Sequence, residues 1–512
     1  MLLIGYRSTR VLPVAQIAPI PPPGETVKPQ LLAVGLLSFC VPAFSQAQPA
    51  PDVAPFLSVT APVFAIEHVR VIDGTGRPAK DDQTIVVANG KIETMGPAAS
   101  VSVPAGAMHI DGDGATLLPG LVGMHDHLYY TASASDQVDA NGRVGEPGIV
   151  VNEIPFTAPR LYLAAGVTTM RTTGSLEPYA DLRVKRLIDE GKMAGPHIDA
   201  TAPYLEGWPT AFAQMHSLTG PEDAVRLVDY WATEGMTSYK AYMNITRAEL
   251  SGAIAGAHKH GAKLTGHLCS VTWKEAAEMG IDDLEHGPIF TDSEFVADKK
   301  VDECPGRGAV RDSWTKLDVA ETGVQGLIHL LIEHKVAVTS TLPVFEAGVP
   351  GRPRLQQRVL DAISAEARQS YLTSRARIAL DSPATGLFRK ELDFERAFVK
   401  AGGLLLAGPD PTGNGGVLPG FGDQREVELL VEAGFSPEEA IQVATENGAK
   451  FLGRQNSIGT IAEGRQADMV LVKGNPAANI ADIENVETVF KDGVGYDSKK
   501  LIESVRGQVG IR

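Results

Sequence analysis

Short apolar runs bounded by Gly or Pro alternate with amphipathic segments through the middle of the chain. The runs are LLPGLVGMHDHLYY, GVTTMRTTG, HIDATAPYL, TSYKAYM, AKLTGHL, IDDLEHG, KVAVTSTLP and GLLLAGPD. Short continuous apolar runs are typical of strands buried on both faces of a parallel sheet. Helical text such as PEDAVRLVDYWATEG separates most of them. Eight β/α units predict an α/β fold, a (β/α)8 TIM barrel, over residues 117–455.

Both ends of the chain show a different texture, in which apolar and polar residues alternate between turn pairs. FAIEHVRVIDGTG and QTIVVANGKIETMGP stand near the beginning, and DMVLVKGNP and VETVFKDG near the end. Alternation bounded by NG and DG pairs is typical of strands joined by tight turns. We therefore predict a small β-sandwich domain built from residues 48–116 and 456–512.

Residues 1–47 predict a signal peptide with an N-terminal extension. Lys28 precedes the apolar segment Leu31–Phe39, and Ser45-Gln46-Ala47 offers a small-x-small cleavage pattern. The apolar segment is too short to span a bilayer, so we expect no membrane span. The interpretation places the protein in the periplasm or outside the cell. A lipid anchor at Cys40 is the alternative.

The composition and net charge of the chain limit the classes of binding partner that we expect. The chain has 512 residues, 44% hydrophobic and 21% charged content, and a formal net charge of −16. These values are typical of a soluble globular protein, and the negative charge argues against a nucleic-acid surface. We expect a small-molecule or short-peptide substrate and a homo-oligomer. Cys269 and Cys304 would remain after cleavage, too few for a disulfide framework, and we expect Cys269 to be a buried thiol.

Polar residues that end the predicted strands form a set of candidate metal ligands: His125, His127, Lys240, His267, His286 and Asp410. A TIM barrel gathers the C-terminal ends of its strands around one mouth. Each residue alone has a simpler interpretation, such as a hydrogen-bonded core histidine, a lysine at the surface or an aspartate in a turn. Their order and their positions at strand ends together favour a metal site, with Zn²⁺ as the default ion.

The motifs LLPGLVGMHDHL and TENGAKFLGRQNSIGTIAEGRQADMVLVKGNP resemble the strand-one and closing segments of the amidohydrolase superfamily. The texture is similar to its secreted, imidazolonepropionase-related peptidases and amidases. The resemblance implies a carboxylated Lys240 that bridges two divalent metals. It also implies one metal on His125, His127 and Asp410, and the other on His267 and His286. RTTGS departs from the family, which usually carries an aspartate after Arg171.

The function that the resemblance implies is hydrolysis of a C–N amide bond by a hydroxide held between the metals, with Asp410 as the catalytic proton carrier. We expect a dipeptide or an N-acyl amino acid as substrate. Alternatives are a cyclic-amide hydrolase, a mononuclear zinc deaminase, and a non-catalytic secreted binding protein. In the deaminase Lys240 would stay unmodified, and one metal would be held by His125, His127, His267 and Asp410. The residues expected to meet substrate are Tyr129, Tyr130, Tyr204, His216, Tyr242, Arg307 and Arg311. An arginine there would suit a substrate carboxylate.

Overall fold

The computed structural model describes residues 49–133, 149–152, 154–212, 214–412 and 416–510, without the side chains of 131–133 and 149–152. The predicted signal peptide and Cys40 lie outside the described residues.

The strands, in chain order, are β1 (Leu57–Val59), β2 (Val63–Val71), β3 (Lys80–Ala88), β4 (Lys91–Pro97), β5 (Met108–Asp111), β6 (Ala115–Pro119), β7 (Leu121–Asp126), β8 (Tyr130–Ser133), β9 (Ile149–Asn152), β10 (Val167–Thr172), β11 (His197–Asp199), β12 (Ser238–Ala241), β13 (Lys263–Gly266), β14 (Asp283–Glu285), β15 (Ala337–Ser340), β16 (Leu405–Ala407), β17 (Met469–Lys473), β18 (Val486–Lys491) and β19 (Val494–Asp497).

The α-helices are α1 (Thr157–Ala164), α2 (Pro178–Asp189), α3 (Pro221–Glu234), α4 (Arg247–Lys259), α5 (Trp273–Met279), α6 (Pro288–Thr291), α7 (Arg307–Thr315), α8 (Thr322–Glu333), α9 (Leu342–Glu346), α10 (Gln357–Ala362), α11 (Ala365–Ala376), α12 (Ala384–Lys400), α13 (Phe421–Glu432), α14 (Pro437–Gln442), α15 (Gly448–Phe451) and α16 (Ser498–Glu503). A π-helical turn, Val443–Asn447, joins α14 to α15.

Two parallel sheets form the centre of the α/β fold. One has the strand order β7-β10-β11, and the other runs from β12 to β16 in chain order. Each of the eight apolar runs contains one of these strands. Hydrogen bonds also join the two sheets at both edges: the Leu205 N–H donates to the Lys240 carbonyl at 2.9 Å, and the Asp410 N–H to the His125 carbonyl at 3.1 Å.

Gly408 makes the second of these junctions possible. A Cβ atom at position 408 would lie 2.2 Å from the backbone nitrogen of His125. No side chain fits at that separation, so only glycine lets the chain after β16 approach β7 this closely.

Local sequence signals fix the ends of the helices around the sheets. Pro221 opens α3, and Gly235, in the left-handed region at φ +102°, closes it. Thr246 caps α4, because its hydroxyl accepts from the Glu249 N–H while the Glu249 carboxylate accepts from the Thr246 N–H. These caps fix where each helix starts after its loop.

The two ends of the chain contribute to one nine-stranded sheet with the order β1-β19-β18-β17-β6-β2-β3-β4, and β5 pairs with β2. Among the described residues this is a single hydrogen-bonded sheet, and the predicted two-sheet sandwich is not seen. Phe64 on β2 stacks on Phe490 of β18 with ring centroids 5.1 Å apart. Since β17 and β6 separate those strands, the sheet curls over its own apolar face.

Cys269 and Cys304 form a disulfide, with their Cα atoms 4.9 Å apart. The expectation of a free buried thiol at Cys269 was therefore wrong. The loop after β13 and the segment before α7 meet in space although the two cysteines are 35 residues apart. Cysteine number alone does not reveal such a meeting.

None of the helices in the described part of the chain combines the length and the hydropathy that a membrane span requires.

Candidate metal centre and pocket

A pocket of about 370 Å³ opens at the C-terminal ends of the parallel strands. All six residues predicted as metal ligands line it. They are His125, His127, Lys240, His267, His286 and Asp410. The volume falls in the range typical of small-molecule sites.

Asp410 lies at the centre of this group. Its Oδ1 is 3.3 Å from His127 Nε2 and 3.6 Å from His125 Nε2, and its Oδ2 is 3.8 Å from His286 Nδ1. Lys240 Nζ is 3.3 Å from His125 Nε2. One donor atom each from His125, His286 and Asp410 lies within 4.8 Å of the other two, close enough to hold an ion. The ring centroids of His267 and His286 are 4.5 Å apart.

The strands position these side chains in a way that follows from the sequence. His125 is on β7 and His127 directly follows it, so alternation along the chain turns both rings to the same side. Lys240 is on β12. His286 and Asp410 stand beyond strand ends with φ values of +74° and +52°. His and Asp adopt this left-handed region more often than most other non-glycine residues do.

Burial and neighbouring charges determine which side chains of the pocket are ionised. Burial lowers the pKa values of His125, His267 and His286 well below normal, and the positive charge of Lys240 adds to the effect. Neutral imidazoles can bind a metal. Burial raises the pKa of Asp410, but nearby His125 and His127 outweigh this and the value falls to about 2. The pocket therefore offers neutral nitrogens and an ionised carboxylate, the donor set of a zinc site.

Three buried charged side chains, Glu285, Arg171 and Asp283, form a hydrogen-bonded group behind His125. The His125 Nδ1–H donates to Glu285 Oε2 at 2.6 Å. Arg171 Nη2 donates to Glu285 Oε1 at 3.0 Å and to Asp283 Oδ2 at 2.8 Å. Arg171 is therefore the positive charge that contacts both carboxylates. At the next position along the chain, the Thr172 hydroxyl accepts a hydrogen bond from the Thr201 N–H. The sequence analysis did not single out Asp283 and Glu285. The two residues are two positions apart in the run IDDLEHG, so they share one face of the strand.

Aromatic rings form the walls of the pocket. The Tyr129 and Tyr204 hydroxyls are 2.7 Å apart, and Tyr242 packs beside His267 with centroids 4.8 Å apart. Phe290 and Phe345 stack with centroids 3.6 Å apart. The two phenylalanines were not predicted from the sequence. Such walls exclude water and favour a substrate with apolar surface.

Arg307 and Arg311, both on α7, also line the pocket. Neither forms an ion pair with a carboxylate among the described residues. Burial and the charge of Arg307 lower the pKa of Arg311. Two arginines without carboxylate partners can bind an anionic group of a ligand.

The structure places two of the predicted substrate residues outside the pocket. Tyr130 begins β8 and is buried in a separate apolar cluster with Tyr371 and Phe421, because alternation turns it away from Tyr129. His216 lies 2.8 Å from Asp223, the carboxylate to which it binds near the start of α3. The prediction of substrate contact is corrected for both residues.

A family model described as "Amidohydrolase family" matches residues 413–495. A dihydroorotase of Leifsonia xyli subsp. xyli is 26% identical over 214 residues, which cover 38% of this chain and 44% of that protein. An imidazolonepropionase of Clostridium tetani is 34% identical over 131 residues, 23% of this chain and 28% of that protein. The chain thus matches less than half of the length of these curated relatives.

The similarity of fold extends further than the similarity of sequence. A solved structure of a Xaa-Pro dipeptidase with methionine bound in its active site aligns with a TM-score of 0.60 and 20% identity. The alignment covers 85% of this chain and 100% of the other. At this level of identity the match concerns the fold alone.

Proposed function

We propose that this chain, whose family match and structural neighbours support its assignment to the amidohydrolase superfamily, is a binuclear metal-dependent hydrolase of C–N amide bonds. Its substrate is a dipeptide or an N-acyl amino acid. The observation that carries the proposal is the meeting of four imidazoles, a buried amine and a carboxylate in one pocket.

The donor set divides between two ions. His125, His127 and Asp410 would hold one divalent metal, and His267 and His286 the other, with Zn²⁺ as the ion that best suits these ligands. When bound, such metals supply a nucleophile at neutral pH by lowering the pKa of water and polarise the substrate carbonyl.

Lys240 is proposed to carry a carboxylate on its amine and to be shared by both ions. The side chain is 1% exposed, and burial lowers its pKa to about 8. Among the described residues, its amine makes a hydrogen-bond contact with His125 Nε2 at 3.3 Å and no ion pair within 4 Å. A buried ammonium without a carboxylate partner is costly, whereas a neutral amine can react with CO₂ and the resulting carbamate supplies negative charge to two cations.

The other pocket residues bind and orient the substrate in this proposal. Asp410 accepts the proton of the attacking water and returns it to the leaving nitrogen, the role that the resemblance to the amidohydrolase superfamily implies for this carboxylate. Arg307 and Arg311 bind a free carboxylate, such as the C-terminus of a dipeptide. The rings of Tyr129, Tyr204 and Tyr242 enclose the substrate side chains.

A mononuclear deaminase is the second candidate. One observation favours it: among the histidine and carboxylate donors of the described pocket residues, a single group of three, from His125, His286 and Asp410, lies mutually within 4.8 Å. In that case Lys240 stays unmodified and a single metal suffices.

Metal counting distinguishes these two functions. The protein is stripped of metal, reconstituted with ZnCl₂ with and without bicarbonate, and its metal content measured. Two equivalents in the pocket, bicarbonate-dependent activity and an intact mass raised by one CO₂ are the results expected for the binuclear hydrolase. One equivalent, indifference to bicarbonate and release of ammonia from a substrate would contradict it.

A substrate screen identifies the scissile bond. Zinc-reconstituted enzyme is tested on Xaa-Pro and other dipeptides, on N-acyl amino acids and on cyclic amides, with release of the free amino acid as readout. With a substrate in hand, Asp410→Asn should lower kcat by about 10²–10⁴-fold. Asp282→Asn is the matched control, since that carboxylate binds His258 outside the pocket. An Asp410→Asn enzyme as fast as the parent would overturn the assigned role.

Two structural proposals accompany the function. The first is that the eight parallel strands form one closed barrel, which the hydrogen bonds at both edges of the two sheets support. The second is secretion to the periplasm or beyond, which the disulfide supports because such bonds persist in oxidising compartments. Mass spectrometry of the protein isolated from each cell fraction tests the second proposal and gives the processed N-terminus.

A further inference from the structure

We infer that His197, Asp468 and Asp492 form a second, structural site for a zinc-like divalent cation, at the opposite end of the parallel strands from the pocket. His197 is the first residue of β11, Asp468 directly precedes β17, and Asp492 follows β18 in the turn to β19. One donor atom from each lies within 4.8 Å of the other two.

One carboxylate oxygen of Asp468 is buried in this cluster without a hydrogen-bond donor among the described residues. The residue is 5% exposed, and its Oδ1 accepts from the Asp492 N–H at 2.7 Å. Its Oδ2 is buried and has no hydrogen-bond donor among the described residues. A buried carboxylate oxygen without a donor is costly, so it indicates a bound cation or water.

Two carboxylates, those of Asp468 and Asp492, meet in this cluster. Lys491 is a buried neighbour, but in the described part of the chain it makes no ion pair with either of them. His197 approaches Asp492 with its Nε2 3.1 Å from Oδ2, and Gln466 Nε2 donates to Asp492 Oδ1 at 3.0 Å. These contacts satisfy Asp492 and leave Asp468 Oδ2 without a partner.

The donors decide the class of cation. One imidazole nitrogen with two carboxylate oxygens suits Zn²⁺ and related transition metals, whereas Mg²⁺ and Ca²⁺ favour oxygen ligands alone. With zinc–ligand bonds of about 2.0–2.2 Å, two tetrahedral ligands lie about 3.3–3.6 Å apart. His197 Nε2 and Asp492 Oδ2, at 3.1 Å, are within a few tenths of an ångström of that spacing. The Asp492 side chain is 46% exposed, which leaves room for a water as the fourth ligand.

A cation there would join elements that the chain brings together from distant positions. β11 belongs to one of the parallel sheets, whereas β17 and β18 belong to the nine-stranded sheet. A shared ion would therefore fix the nine-stranded sheet to the base of the parallel strands. Its role is structural, and it does not depend on the reaction in the pocket.

Metal counting in matched variants tests the site. Parent, His197→Gln, Asp468→Asn and His258→Gln proteins are saturated with ZnCl₂, freed of excess metal and analysed for zinc per chain. His258 is the control because it also binds a carboxylate, Asp282 Oδ2 at 2.9 Å, but without the third ligand. The first two variants should each hold one zinc fewer than the parent, and His258→Gln the same number. Equal zinc content in parent and His197→Gln would overturn the inference.

A background with a disabled pocket separates this site from the active-site metals. The double variant His125→Gln/His127→Gln should still bind one Co²⁺ and show its visible absorption, and adding His197→Gln should abolish that absorption. Thermal unfolding provides a readout for variants that bind metal poorly: Zn²⁺ should raise the Tm of this double variant but not that of the triple variant. An equal rise in both would also overturn the site, whatever the fate of the proposed hydrolase.

Discussion

His125 and Glu285 form a buried hydrogen bond of 2.6 Å between Nδ1 and Oε2. Because a carboxylate only accepts, the imidazole must carry its proton on Nδ1. Its Nε2 lone pair is therefore free, and this is the atom that faces Asp410 and Lys240. Glu285 thus sets the tautomer and the orientation of a proposed metal ligand without entering the pocket.

Glu285→Gln should weaken zinc binding in the pocket by about 10–100-fold, the usual effect of losing a carboxylate behind a histidine ligand. The neutral amide no longer favours the Nδ1–H tautomer, and Arg171 loses one of its two anionic partners. Competition with a fluorescent zinc chelator measures the affinity. Asp282→Asn serves as the control, and an unchanged Kd in Glu285→Gln would remove Glu285 from the metal centre.

Arg307→Met should raise KM for substrates with a free carboxylate while changing kcat little. A hydrogen bond to a charged group contributes about 1.5–3 kcal/mol, so KM should rise by about 10–100-fold. The same substrate with an amidated C-terminus provides the control, since it has no carboxylate to lose. Equal effects on both substrates would mean that Arg307 shapes the pocket without binding the anion. Arg226→Met, on the surface of α3, should leave KM unchanged.

Reduction of the Cys269–Cys304 disulfide should lower the free energy of unfolding by about 3–4 kcal/mol, the loop-closure value for a separation of this length. It should also raise KM, because Cys304 precedes α7 and Cys269 follows the proposed ligand His267 by two residues. Thermal unfolding and steady-state kinetics with and without reductant measure both effects. The Cys269→Ser/Cys304→Ser variant should not respond to reductant, and a parent that also fails to respond would contradict the prediction.

Stability should fall as pH rises because of buried carboxyls on α12 and α13. Glu391, Glu395 and Glu426 are fully buried, and burial raises their pKa values well above normal. They hold protons in the folded protein, whereas the unfolded chain releases them above its ordinary pKa of about 4.3. The stabilising contribution is therefore complete below that pH and is lost as pH increases toward the folded pKa values.

Glu395→Gln should accordingly flatten the dependence of Tm on pH above the unfolded pKa of about 4.3, because a neutral amide cannot ionise. Glu278→Gln, at an exposed position of α5, should follow the parent curve. Parallel curves for Glu395→Gln and the parent would show that Glu395 is ionised in the folded protein.

The positions of the parallel strands and of the polar residues at their ends could be predicted because both are local patterns. Each strand lies within a short apolar run, and Lys240 is part of one. The support from Glu285 and Arg171 could not be predicted, because it depends on which strands become neighbours. The disulfide between Cys269 and Cys304 could not be predicted for the same reason. The direction of the Tyr130 side chain could not be predicted either, because it depends on where β8 begins.

The close approach of the chain to β7 at Gly408 also affects when the pocket becomes complete during synthesis. A growing polypeptide that ends before β16 already contains five of the six donors that line the pocket, but it lacks the carboxylate of Asp410. Without β16 and the residues that follow it, β7 also has an open edge on the side where the His125 carbonyl accepts from the Asp410 N–H. The proposed metal ligands are therefore complete only after synthesis of nearly the whole chain, and a translation product that ends before β16 would lack one of them.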